Sequence, residues 1–165
     1  MTPTQPLRIA LGEYDIGWHD PAASLDRAAV IVNDAAARGA RLVVLPEMCT
    51  SGFTMDLAFA ESLRGDHVAR LAGIARDSGV WVIAGVPTRD ESDGHDTARN
   101  SALVLDPSGQ VAAMYNKQRL FAYANEQQSY RTGDTSVTVR VDGARVSPFI
   151  CYDLRFPELF RSVAD

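Results

Sequence analysis

The sequence predicts an α/β fold on a mixed sheet, and three observations carry that prediction. Short apolar runs alternate with helix-periodic segments through the first half: "LRIALG", "RLVVLPE" and "VWVIAGV" are separated by two helical patterns. That order marks strands covered by helices. Next, "NSALVLD" and "QVAAMYNK" flank Asp106-Pro107-Ser108-Gly109, a turn sequence, and so read as a hairpin. Last, "TSVTVRVDG" alternates apolar and polar residues like an antiparallel strand, with Ala144 to Ile150 as its partner. Strands in parallel order followed by antiparallel pairs make the sheet mixed.

The elements follow in turn. Leu7 to Gly12 reads as a short buried strand. Asp20-Pro21 reads as an N-cap with proline at the first helical position. Leu25, Ala28, Ala29, Val32 and Ala36 then recur at helical spacing until Gly39 supplies a stop. A second helix is expected from Asp66 to just before Gly79, with Val68, Leu71, Ala72 and Ala75 on one face. The polar stretch Arg89 to Arg99 reads as a surface loop. Pro157 opens a helix that still reads as continuing where the sequence stops at Asp165. One domain over 1–165 is therefore expected, C-terminally incomplete, with exposed strand edges and a tendency to aggregate.

Composition excludes several classes. Hydrophobic residues make up 46% and charged residues 22% of the 165, ordinary for a globular chain. A formal charge of −5 argues against nucleic acid or an anionic membrane surface as partner. Cys49 and Cys151 form no CxxC, and His19, His67 and His95 form no HExxH, so no metal or other cofactor is expected. "MTPTQPLRIALGEYD" lacks a signal peptide's basic start and long apolar core, and no run approaches a membrane span. The default expectation is a reducing, cytoplasmic compartment.

Three chemically capable side chains each follow an apolar run. Glu47 follows "LVVLP", Lys117 follows "VAAMYN" and Cys151 follows "VSPFI". Ligands of open α/β sheets bind at the carboxyl ends of strands, so the three can share a rim. A carboxylate can take a thiol proton, the thiolate can attack an electrophilic carbon, and an ammonium can stabilise the oxyanion. Taken singly, each has a plainer reading: Glu47 as a surface carboxylate, Lys117 as a solvated charge, Cys151 as core filler. Spacing alone leaves both readings open.

The surrounding residues resemble the nitrilase superfamily of carbon–nitrogen hydrolases. "LVVLPEMCTSGF", "YNKQRLF" and "ICYDLRFPELFR" occur in the family's order, supported by "RNSALVLDPSGQV" and "YRTGD". The resemblance covers nearly the whole chain. It implies an α-β-β-α sandwich of mixed sheets, lacking here its C-terminal portion. It also implies a glutamate base at Glu47, an oxyanion-binding lysine at Lys117 and a cysteine nucleophile at Cys151. The backbone N–H of Tyr152 would join the oxyanion hole, and Glu126 is the counterpart of a second glutamate that orients substrate. "LPEMCTSGFTMD" with "KQRLFAYANEQQSY" looks most like the ω-amidase branch, which releases ammonia from ω-amides of 2-oxo dicarboxylic acids such as 2-oxoglutaramate. Arg119 departs from the histidine many members carry. A small amide and water are the implied partners, with an assembly of at least two copies.

Other residues carry competing roles. Cys49, two residues past Glu47, reads as packing. Arg155 suits either a substrate carboxylate or an internal pair with Asp153 or Glu158. Tyr152 and Phe121 suit a pocket wall or the core. The alternatives to an amidase are a related hydrolase of N-carbamoyl compounds or nitriles, and a truncated, inactive scaffold.

Overall fold

Alternation along the strands gives the central sheet two apolar faces, and both are covered. The structure, a computed structural model, describes residues 6–90 and 97–164. β1 (Ile9–Leu11), α1 (Pro21–Ala37), β2 (Leu42–Val44), α2 (Asp66–Ser78) and β3 (Trp81–Asp90) come first, then β4 (Thr97–Leu105) and β5 (Val111–Asn116). α3 (Glu126–Ser129), β6 (Val139–Val141), β7 (Ala144–Val146) and α4 (Pro157–Arg161) follow. The sheet order is β1-β2-β3-β4-β5, with β1 to β3 parallel and β3 to β5 antiparallel. The mixed sheet expected from the sequence is the one found.

On one face Val43, Val82, Ala84, Leu103 and Leu105 pack with Leu25, Ala28 and Val32 of α1 and Val68, Leu71 and Ile74 of α2. Their neighbours Leu42, Ile83, Ala102, Val104 and Tyr115 turn the other way, onto Val141 and Ile150 with half-buried Val139, Val146 and Phe149. The β6–β7 ladder therefore covers the second face. Phe160 of α4 rests on Phe149 with ring centroids 4.4 Å apart. Helices, sheet, ladder and helix thus follow the layer order of the expected sandwich.

Local chemistry sets the ends of elements. Asp20 accepts from the Ala23 N–H (3.0 Å) at the start of α1. The Glu61 carboxylate accepts from the Val68 N–H (2.8 Å) at the start of α2. Asp142 and Gly143 both take positive φ, as a two-residue hairpin turn requires, and Arg41 Nε holds Asp142 Oδ2 at 2.6 Å. A polar rung crosses three strands: Thr88 Oγ1 meets Ser101 Oγ at 2.6 Å, and Ser101 Oγ donates to Asn116 Oδ1 at 2.7 Å.

Four expectations need correction. Ile9 and Leu11 are exposed rather than buried, because β1 is an edge strand with only β2 paired to it among the described residues. With Val30 of α1 they line a groove of about 540 Å³ whose lining includes neither Glu47, Lys117 nor Cys151. The supposed loop at Arg89 to Arg99 is strand at both ends: Arg89 pairs with Ala98 and Thr88 with Arg99. Arg89 earns its place there by donating to the Leu57 carbonyl (2.7 Å), and positions 91–96 lie outside the described residues. The last antiparallel pair is shorter than expected: β7 stops at Val146, before Pro148, which has no N–H to offer a ladder. Finally, the helix after Pro157 is only five residues long and closes at Ser162, whose hydroxyl donates to the Leu159 carbonyl (2.7 Å).

Gly73 lies inside α2, and a methyl group there would meet only Arg76 Nη2, at 3.6 Å. Gly73→Ala should therefore stabilise the chain by up to about 1 kcal/mol, the helix-interior difference between the two residues. Urea denaturation measures it, and a lower midpoint would show a packing cost the open space does not suggest.

Candidate active site

Glu47 leaves β2 on a strap held tightly against β3. The Leu45 N–H donates to the Ile83 carbonyl (2.8 Å), the Gly85 N–H to Pro46 (3.2 Å), and the Cys49 N–H to Gly85 (2.7 Å). A Cβ on Gly85 would sit 2.6 Å from both Glu47 Cα and the Pro46 oxygen. Only glycine lets the strap lie this close. Cys49, at the strap's end, is fully buried; burial pushes its thiol up to about 12, as expected of packing.

Lys117 follows β5 directly. Its N–H donates to the Asn100 carbonyl (2.9 Å), and its own carbonyl accepts from the Gly133 N–H (2.8 Å). The side chain is fully buried, which an ammonium tolerates only when paired. Nζ donates to Glu47 Oε1 at 2.7 Å and to Glu126 Oε2 at 2.9 Å, with Glu126 Oε1 at 3.2 Å. Burial pulls the ammonium's pKa down, but the Glu47 and Glu126 carboxylates outweigh it and the net shift is upward. Lys117 is cationic throughout the physiological range. Glu126, at the start of α3 and also fully buried, accepts the Phe121 N–H on Oε2 (2.6 Å).

Asn100, on β4, joins the two carboxylates. Nδ2 donates to Glu47 Oε1 and to Glu126 Oε1, each at 2.7 Å. Its Oδ1 is buried without a partner among the described residues, a deficit that costs about 1–3 kcal/mol in general.

Cys151 does not end a strand, contrary to the sequence reading. It opens a 3-10 turn, Cys151–Arg155, at φ +45, after an extended but unpaired Ile150. Positive φ is uncommon outside glycine and needs support from its surroundings. Asp153 gives that support. Its fully buried carboxylate accepts from Tyr115 Oη (2.7 Å), the Arg119 N–H (2.8 Å) and the Ile150 N–H (3.0 Å). The turn is thereby tied to β5, the strand that leads directly into Lys117.

Unlike Cys49, Cys151 is exposed. The pKa of its thiol is raised by partial burial first, then by the Glu47 charge, against a lowering effect of Lys117. Two carboxylates around one ammonium leave an excess of negative charge, so the resting sulfur is a protonated thiol with a base beside it. Tyr152 is half-buried, its ring against Phe121 (5.2 Å) and Phe156 (5.4 Å). Arg155 is exposed and joins no ion pair among the described residues: Asp153 is occupied as above, and Glu158 faces Arg119 at 3.5 Å.

The structure thus brings Glu47, Lys117, Glu126 and Cys151 together, with Tyr152 next in the turn. Sequence reasoning passed over Asn100 and Gly85, and named Asp153 only as a candidate partner of Arg155. Asn100 and Asp153 lay within the quoted "RNSALVLDPSGQV" and "ICYDLRFPELFR", and Gly85 within "VWVIAGV", where a lone glycine in a strand is the signal of a close backbone approach. Among the described residues, no cluster of three His, Cys, Asp or Glu side chains could hold a metal ion.

Residues 8–165 match the family model described as carbon-nitrogen hydrolase. The chain is 33% identical over 162 residues to omega-amidase YafV of Escherichia coli K12, covering 96% of this chain and 59% of that protein. It is 32% identical over 159 residues to 2-oxoglutaramate amidase of Bacillus subtilis 168, covering 93% and 58% respectively. It thus spans a little under three-fifths of these relatives. Among solved structures it resembles an amidase mutant from Nesterenkonia sp. AN1 showing Michael addition of acrylamide at the active-site cysteine. That match has a TM-score of 0.84 and 28% identity, over 95% of this chain and 62% of the other.

Two outcomes follow from this geometry. Iodoacetamide should label Cys151 with a pH midpoint above the roughly 8.5 of a free thiol, while Cys49 stays unlabelled until the chain unfolds. Peptide mapping checks both; equal labelling of the two would contradict the assigned burial. Gly85→Ala should cost about 1–3 kcal/mol in denaturant unfolding, since only backbone can give way. An unchanged midpoint would mean the strap relaxes freely.

Proposed function

The chain belongs to the carbon–nitrogen hydrolase family, and on that premise we propose that it carries the Glu47–Lys117–Cys151 machinery of an amidase acting on small carboxylated amides. The observation that carries this reading is the exposed Cys151 thiol under the charge of Glu47, whose carboxylate is itself held by the buried Lys117 ammonium and by Asn100.

Glu47 takes the thiol proton as the sulfur attacks the amide carbon. The carbonyl oxygen becomes an oxyanion, met by Lys117 Nζ and the backbone N–H of Tyr152. Nζ has a hydrogen for this: Glu47 takes one, and the two Glu126 oxygens can share a second. Glu47 returns its proton to the departing nitrogen, ammonia leaves, and a thioester to Cys151 remains. Water then attacks the thioester while Glu47 takes its proton. Collapse expels the thiolate, Glu47 reprotonates it, and the carboxylic acid departs. Glu126 orients substrate indirectly, by fixing Lys117 and the Phe121 backbone.

An ω-amide of a 2-oxo dicarboxylic acid, such as 2-oxoglutaramate, is the substrate class this reading favours, through the likeness to YafV and the Bacillus enzyme. The reading places the protein in the cytoplasm, acting in an assembly of at least two copies, with no cofactor. No helix among the described residues is long and apolar enough to cross a membrane.

Ammonia release tests the proposal. Activity on 2-oxoglutaramate or succinamate should exceed that on nitriles and uncharged aliphatic amides, because a site that pairs a substrate carboxylate leaves its donors unpaired without one. Equal rates across the panel would remove the ω-amidase assignment. Cys151→Ala should abolish turnover and Cys49→Ala should preserve most of it. Glu47→Gln should slow it by about 10²–10⁴-fold; near-normal turnover in that variant would reduce Glu47 to a structural role.

A further inference from the structure

We propose that Asn100 is a positioning residue that selects which oxygen of Glu47 receives the proton from Cys151. The inference rests on the reading of Glu47 as base and extends it to a residue that touches neither sulfur nor substrate.

A count of acceptor sites makes the case. Glu126 Oε1 accepts from Asn100 Nδ2 and Lys117 Nζ, and Glu126 Oε2 from Lys117 Nζ and the Phe121 N–H. Glu47 Oε1 likewise accepts from both Lys117 Nζ and Asn100 Nδ2. Each of these three oxygens has two donors, which fills a carboxylate oxygen's ordinary capacity. Glu47 Oε2 is the fourth, and none of these donors reaches it. It is the oxygen left with room for a proton. Without the Asn100 amide, Glu47 Oε1 would keep an open lone pair, and both oxygens could compete for the thiol.

The orientation of the amide is forced. Turned over, Oδ1 would face two carboxylate oxygens with no hydrogen between them, so Nδ2 must point at the glutamates. That orientation has a cost: Oδ1 is left buried and, among the described residues, unpaired. An asparagine kept only to fill space would not need this arrangement, since an apolar side chain of the same size leaves no orphan. The Asn100 main chain is pinned as well, its carbonyl accepting from the Lys117 N–H at 2.9 Å. The amide therefore cannot drift from the two acceptors.

The test reads Cys151 itself and does not depend on turnover. Iodoacetamide alkylation of Cys151 is followed against pH in the wild type, Asn100→Leu, Asn100→Ala and Glu47→Gln; the groups acting on the sulfur are Glu47, Lys117 and Glu126. Removing the Asn100 donor concentrates negative charge on Glu47 and makes the thiolate harder to form. Asn100→Leu should move the alkylation midpoint upward by about one pH unit, the differential of one hydrogen bond to a charged group. Asn100→Ala, which adds no bulk should the leucine variant fail to fold, should move it in the same direction by removing the same donor. Glu47→Gln should move it downward. Wild-type midpoints in both Asn100 variants, beside a shifted Glu47→Gln, would overturn the role of Asn100 alone. An unshifted Glu47→Gln would overturn the Glu47–Cys151 coupling, and this inference with it.

Discussion

A single ammonium buried away from water organises this molecule. Lys117 is fully buried, and such a charge is tolerable only if its partners are held in place before it arrives. Its two glutamates come from different parts of the chain, one on the strap after β2 and one at the start of α3. The β2–β3 pairing, the missing side chain at Gly85 and the Phe121 N–H all serve to keep those carboxylates where the ammonium requires them. The cluster is therefore a constraint on the fold as much as a piece of chemistry.

The same cluster sets the state of the sulfur. A cysteine beside a lysine would ordinarily be drawn toward thiolate. Here two carboxylates oppose one ammonium, and the thiol is held protonated instead. Nucleophilicity is then created only when a base removes the proton, which protects an exposed cysteine from indiscriminate reaction. Asp153 complements this by fixing the turn rather than the charge: it holds Ile150 and Arg119 through their backbones, so Cys151 keeps a dihedral that a free chain would abandon.

Much of this was legible from the residues. Helical periodicity and caps placed α1 and α2, because those signals are local: Asp20-Pro21 and Gly79 act within a turn of themselves. The three reactive side chains stood out because each follows an apolar run. The rest depended on distant partners. Pro148 hints that the segment before Cys151 leaves the ladder, but the turn that replaces it follows from the Ile150 N–H being claimed by Asp153. The exposure of β1 depends on which strands lie beside it, and the strand ends around Arg89 on a carbonyl over thirty positions away at Leu57. Asn100 was quoted only as one letter of a supporting block, since its role exists only once two glutamates converge on it.

The polar rung of Thr88, Ser101 and Asn116 has a consequence for how the sheet finds its alignment. A sheet with one wet face detects a one-residue slip at once, because the slip turns its oily side outward. This sheet is oily on both sides, so the hydrophobic pattern is nearly blind to that error. The rung is not blind: slide β4 by one residue and the hydroxyl of Ser101 loses both neighbours together. Asn100 and Lys117, each adjacent to a rung residue and facing the opposite way, would lose their partners in the same slip. Three small polar side chains thus act as the alignment key of the sheet, and a misthreaded chain is recognised by broken hydrogen bonds rather than by exposed oil.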